Sequence, residues 1–258
     1  MPKNTPPAKR YAPRFRSRWF VAALALAVIA AVVTTLWLVD SRSRSSGSRS
    51  LSASEADRLA VMRYRNYQLH GRSVLLTVPT VAGTLTVRGS VDFRAHVGYG
   101  VIKGSGQSAA TRGLVQWTLR SIIEHPLADA AATAPAVPPT SGWIGRPLTP
   151  TASALDAALV LVMNLAANRP DNAQLLVQDG ASWLRSATIR SSPVDVFAGP
   201  SPSGRAEPHA AHASLRYWIA REGTLYRVES AAASAPQPVT VELGAAPYVT
   251  VKPVPGLR

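Results

Sequence analysis

The sequence predicts an α+β protein: one N-terminal transmembrane helix, then a curved antiparallel β-sheet packed with two main helices. Three observations lead there. Trp19 to Val39, WFVAALALAVIAAVVTTLWLV, contains no charge, proline or glycine. Beyond Ser73 the hydropathy alternates with period two in short segments separated by turn residues, which is strand patterning. Two stretches, Ser54 to Tyr67 and Thr151 to Ala167, keep a helical period instead.

At about 1.5 Å per residue the apolar run reaches about 30 Å, the thickness of a bilayer's hydrocarbon layer. Trp19 and Trp37 suit the two headgroup boundaries. A cleaved secretory signal would have a shorter core and a small-residue cleavage site, whereas DSRSRSSGSRS follows this one. Six basic residues (Lys3, Lys9, Arg10, Arg14, Arg16 and Arg18) precede the run, and three (Arg42, Arg44 and Arg49) follow it closely. That asymmetry places the N-terminus in the cytoplasm. The organisation expected is a basic cytoplasmic tail over 1–18, a single-pass span of the plasma membrane over 19–39, a Ser/Arg stalk over 40–51, and an extracytoplasmic β-rich domain over 52–252.

The net charge is +14. Much of it sits around the span, so the bilayer is the expected partner of the tail and nucleic acid is not. Cysteine is absent from the chain. An extracytoplasmic head without it depends on burial and hydrogen bonding, and lipid attachment through a cysteine is excluded.

In the head, Ser54 is the expected N-cap of a helix with Ala56, Leu59, Ala60 and Tyr67 along one stripe. Leu85 to Arg94 is the clearest strand: its odd positions are apolar or glycine and its even positions polar. Ser73 to Val78, His96 to Lys103 and Leu114 to Ile123 read as its antiparallel neighbours. Gly98 and Gly100 suggest bends or bulges in a curved sheet. The Ala/Pro-rich stretch from Pro126 to Pro150 is a long loop, either a linker or a lid. Thr151 to Ala167 gives the second helix, with Leu155, Leu159, Val162 and Met163 on one face. Hairpins follow around Ser191-Ser192 and Glu222-Gly223, and Val239 to Leu243 and Tyr248 to Val251 complete the sheet.

The commonest catalytic and phosphate-binding signatures are missing: no G-x-S-x-G elbow, S-x-x-K, Walker loop or H-E-x-x-H occurs. His209 and His212 lack the further ligands of a tight metal site. No enzyme activity, cofactor or metal is expected. Trp117, Trp183 and Trp218 each fall in an expected strand. With Val87, Val91 and Phe93 they are the candidates to line an apolar concavity, the alternative being ordinary core packing.

The strand Arg88-Gly89-Ser90-Val91-Asp92-Phe93 and the hairpin Tyr217 to Glu229, YWIAREGTLYRVE, in this order of elements, resemble the LolA-like and LppX/LprG-like envelope proteins of actinobacteria. The resemblance spans Ser54 to Leu243. It implies a half-barrel sheet closed by helices around a cavity for acyl chains, with no catalytic residues to transfer. The chain departs from it in lacking the lipobox cysteine and in having Ala220 and Arg221 where acidic residues are common. The expected function is non-catalytic binding of a lipid or other apolar ligand in the cell envelope. The rival is a bitopic component of a secretion or conjugation machine that works by protein contacts.

Overall fold

The computed structural model describes residues 48–127, 129, 132–200, 215–231 and 237–254. The basic tail, the span Trp19 to Val39 and residues 40–47 of the stalk lie outside the described residues. Among those described, no helix is long and apolar enough to cross a membrane.

The chain forms strand β1 (Arg49–Ser50), helix α1 (Ala53–Gln68) and strands β2 (Gly71–Thr80), β3 (Gly83–Asp92), β4 (Val97–Gly104), β5 (Arg112–Trp117), β6 (Ser121–Pro126) and β7 (Ile144–Pro147). Helices α2 (Ala154–Met163) and α3 (Ala173–Gln178) follow. Strands β8 (Ser182–Ile189), β9 (Ser192–Ala198), β10 (Leu215–Ala220), β11 (Leu225–Ser230) and β12 (Val239–Leu243) come last. The described strands make one open sheet in the order β1-β8-β9-β10-β11-β12-β2-β3-β4-β5-β6-β7. Every neighbouring pair is antiparallel.

The period-two pattern decides which residues enter the core. Val74, Leu76 and Val78 of β2, Val87 and Val91 of β3, and Ile219 of β10 share the inner face with the buried sides of α1 and α2. On α1 that side is Ala56, Leu59 and Met62; on α2 it is Leu155, Leu159, Val162 and Met163. The outer face carries two smaller clusters, one around Tyr99 and Leu114 and one around Val196 and Trp218.

Several local expectations change. The N-cap of α1 is Ser52, not Ser54: Ser52 accepts from the Glu55 amide while Glu55 accepts from the Ser52 amide, a reciprocal capping box. Leu114 to Ile123 is two strands, because Thr118 turns the chain by bonding the amides of Arg120 and Ser121. The Pro126 to Pro150 loop contributes the edge strand β7, paired with β6. Tyr248 to Val251 is no strand. It lies across the sheet as a strap, held where the Val249 amide donates to Ser90 Oγ and where Gln116 bonds Lys252 O and the Val254 amide.

Gly98 and Gly100 make no bulge, since β4 keeps unbroken register with β3 and β5. Gly98 sits directly opposite Trp117. A Cβ on Gly98 would lie 2.2 Å from Trp117 Cζ2, so the glycine is where the indole rests.

Candidate functional site

The six residues singled out from the sequence do not surround one hollow. Val87, Val91, Phe93 and Trp117 do come together on the inner face, but each is 0% exposed and close-packed in the main core. Trp183 is half-buried at the edge of that core. Its indole N–H donates to Asp195 (3.1 Å), and its ring lies 4.4 Å beneath the Arg49 guanidinium. Trp218 is on the outer face, packed with Val194, Val196 and Ala220, because Tyr217 and Ile219 on either side of it point inward. The sequence LRYWIA is apolar on both faces of its strand, so alternation alone could not orient it.

An open space lies elsewhere, between α1, α3 and β10. It is a cleft of about 410 Å³. Leu59 and Met62 of α1 form one wall, Leu161 and Leu165 the end by α2, Leu175 and Leu176 of α3 the facing wall, and Leu215 and Tyr217 of β10 the floor. Helix α3 is capped by the Asn172 side chain, which accepts from the amides of Gln174 and Leu175. It buries no residue fully, and Leu175 is 52% exposed. This helix and its leucines were not anticipated. The signal that could have found them is Asn172 as a cap, the pair Leu175-Leu176, and Gly180 just past the end, where φ is +82°.

The cleft rim is polar. Arg63 donates from Nη1 to Asp171 (2.9 Å) and from Nε to Asn164 O (2.9 Å), tying the connection between α2 and α3 to α1. Burial pushes the Tyr217 phenol up to about 12, so it stays a neutral donor at neutral pH.

The carboxylates with displaced pKa values lie away from the cleft lining, each beside an arginine. The Arg49 fork, with both bonds at 2.7 Å, overcomes burial and holds Glu55 down at about 2. Burial opposes ionisation of Asp156. The Arg146 fork (2.6 and 2.8 Å) and the Thr149 amide outweigh it, and the carboxyl stays below the usual range. Asp195 is half-buried, which opposes ionisation, but Ser186, Trp183 and Arg58 hold its carboxyl low. No group of three or more His, Asp or Glu residues that could hold a metal occurs among the described residues.

No protein-family model and no curated protein matches the chain. The solved structures similar to it include the following three. Lipoprotein LppX of Mycobacterium tuberculosis superposes with a TM-score of 0.42 at 10% identity, over 77% of this chain and 98% of its own. A DUF1329 family protein of Desulfovibrio piger gives 0.33 at 8% identity, over 76% and 92%. A domain of Vibrio parahaemolyticus described as an outer membrane lipoprotein-sorting protein gives 0.21 at 9%, over 67% and 81%.

Proposed function

We propose that this protein is a membrane-anchored, extracytoplasmic, non-catalytic binder of a lipid or other apolar ligand, held in the cleft between α1, α3 and β10. The observation that carries the reading is the cleft itself: leucines and a methionine on its walls, a neutral phenol on its floor and an ion pair at its rim. Its volume of about 410 Å³ falls at the small end of the roughly 300–1,000 Å³ typical of small-molecule sites, which suits one chain rather than several. The absence of catalysis is supported by the pairing of the displaced carboxylates with arginines, well suited to structure and poorly placed for proton transfer.

The half-barrel form of the sheet is supported by its dimensions. Nine strands, β9 to β12 and β2 to β6, contribute to the main inner cluster. Laid flat at about 4.8 Å spacing they would span about 38 Å. Two helices about 10 Å across cover half of that, so one continuous core requires the sheet to curl around them. Anchoring by Trp19 to Val39 rests on the length, apolarity and flanking charge of that run.

The test is native mass spectrometry of the full-length chain extracted in mild detergent. The reading expects a co-purifying species of lipid mass that exchanges with added fatty acid. Apo protein alone, with no exchange, would remove it. Protease added to spheroplasts tests the topology separately: the head is degraded if it lies outside.

A further inference from the structure

We propose that Arg72 and Arg190 form a binding site for a phosphate group at the end of the sheet where β2 and β11 begin and β12 finishes. Arg72 lies on β2 just before the core positions Val74 and Leu76 and is only 9% exposed. Its Nη1 donates to Asn66 Oδ1 (3.2 Å) and to Leu225 O. Its Nε and Nη2 have no acceptor, and its guanidinium no carboxylate, among the described residues. Arg190, exposed in the turn between β8 and β9, donates from Nη2 to Leu243 O (2.7 Å) and lies over the Tyr226 ring at 5.2 Å. A Cβ on the next residue, Gly244, would come within 2.7 Å of Arg72 Nη2. The two guanidinium groups therefore flank a single peptide, Leu243-Gly244.

A buried cation beside a second cation is costly unless an anion completes the arrangement. The cost registers at Arg72, which burial and then the charge of Arg190 bring down to about 10. Nor does Asp92, at the same end of the sheet, serve as the missing partner: its Oδ1 accepts from the amides of Arg94 and Ala95. Two guanidinium forks with free N–H groups match the several acceptor oxygens of a phosphate. A phosphate dianion cancels both charges, whereas a carboxylate would leave one. Both a free phosphate ion and a lipid headgroup that ends in a phosphomonoester supply such a dianion.

The experiment is calorimetric titration of the full-length chain in nonionic detergent with inorganic phosphate and, in a second arm, with glycerol 3-phosphate as an isolated headgroup. Chloride at matched ionic strength is the blank. Arg190→Asn is the informative variant, since Arg190 is exposed and asparagine tolerates its φ of +49°. The expected result is saturable binding in at least one arm, weakened tenfold or more by Arg190→Asn. Tighter binding of glycerol 3-phosphate assigns the site to a headgroup, and tighter binding of inorganic phosphate assigns it to the free ion. No saturable heat in either arm, or equal affinity for Arg190→Asn and the parent chain, overturns the proposal. The site is separate from the apolar cleft, so neither outcome decides the lipid reading.

Discussion

Replacing Gly98 with alanine tests whether this glycine exists to seat Trp117. The new methyl carbon would stand 2.2, 2.3 and 2.5 Å from Cζ2, Cε2 and Cη2 of the indole. Ordinary carbon contacts are about 3.5–4.0 Å, and a rigid ring that is 0% exposed cannot swing away. Overpacking of this kind costs about 1–3 kcal/mol, and the rigidity of the obstacle argues for the upper end. Because φ at Gly98 is not left-handed, alanine recovers about 0.5–1 kcal/mol of backbone entropy, leaving a net loss of about 2 kcal/mol. Trp117→Phe removes the ring atoms that collide and also the indole N–H, which is buried without an acceptor among the described residues. In the double variant the alanine methyl fills the vacated space. The two changes should therefore couple favourably by at least about 1.5 kcal/mol. Urea unfolding of the full-length chain in nonionic detergent, followed by circular dichroism, measures all four forms. Additivity within about 0.5 kcal/mol would refute the account of Gly98 as the seat of the indole.

Asp156→Asn should destabilise by about 2–3 kcal/mol: the fully buried carboxylate loses its charge against the Arg146 fork, but half-exposed Arg146 can turn to water. Hydrogen exchange should show β7 loosening first, and a change under 0.5 kcal/mol would argue against the pair tying β7 to α2. Glu55 and Asp156 are both held below their ordinary range, so the stability they confer is complete above about pH 4.5. It is lost as the pH falls through their folded values, about 2 for Glu55. Urea midpoints that do not fall between pH 4.5 and 2.5 would contradict this. Leu161→Trp, which pushes an indole into the cleft, should cut uptake of a fluorescent fatty acid at least tenfold while changing stability by less than about 1 kcal/mol. Unaltered uptake would place the ligand elsewhere.

Wherever one strand face was apolar and the other polar, the pattern was legible. Val87, Val91 and Phe93 lie inward as their odd positions required, and so do Leu155, Leu159, Val162 and Met163 of α2. Legibility failed where both faces are apolar, as at Trp218, or where a short helix carries too few core residues to show a period, as in α3. The placement of Val87, Val91, Phe93 and Trp117 as walls of one cavity also misjudged packing: these side chains close into one core with α1 and α2 and are 0% exposed.

By itself the sequence determined the longer elements and the buried faces of those with one apolar side, because hydropathy period and turn residues act over a few positions along the chain. It also determined that the run from Trp19 to Val39 has the length and apolarity to span a bilayer. Only the tertiary structure decided that β12 pairs with β2, that Gly98 receives Trp117, that the cleft falls between α1, α3 and β10, and that Arg72 and Arg190 meet at one peptide. Those are contacts between residues far apart in sequence. They are fixed by which surfaces fit together, and no local pattern encodes that fit.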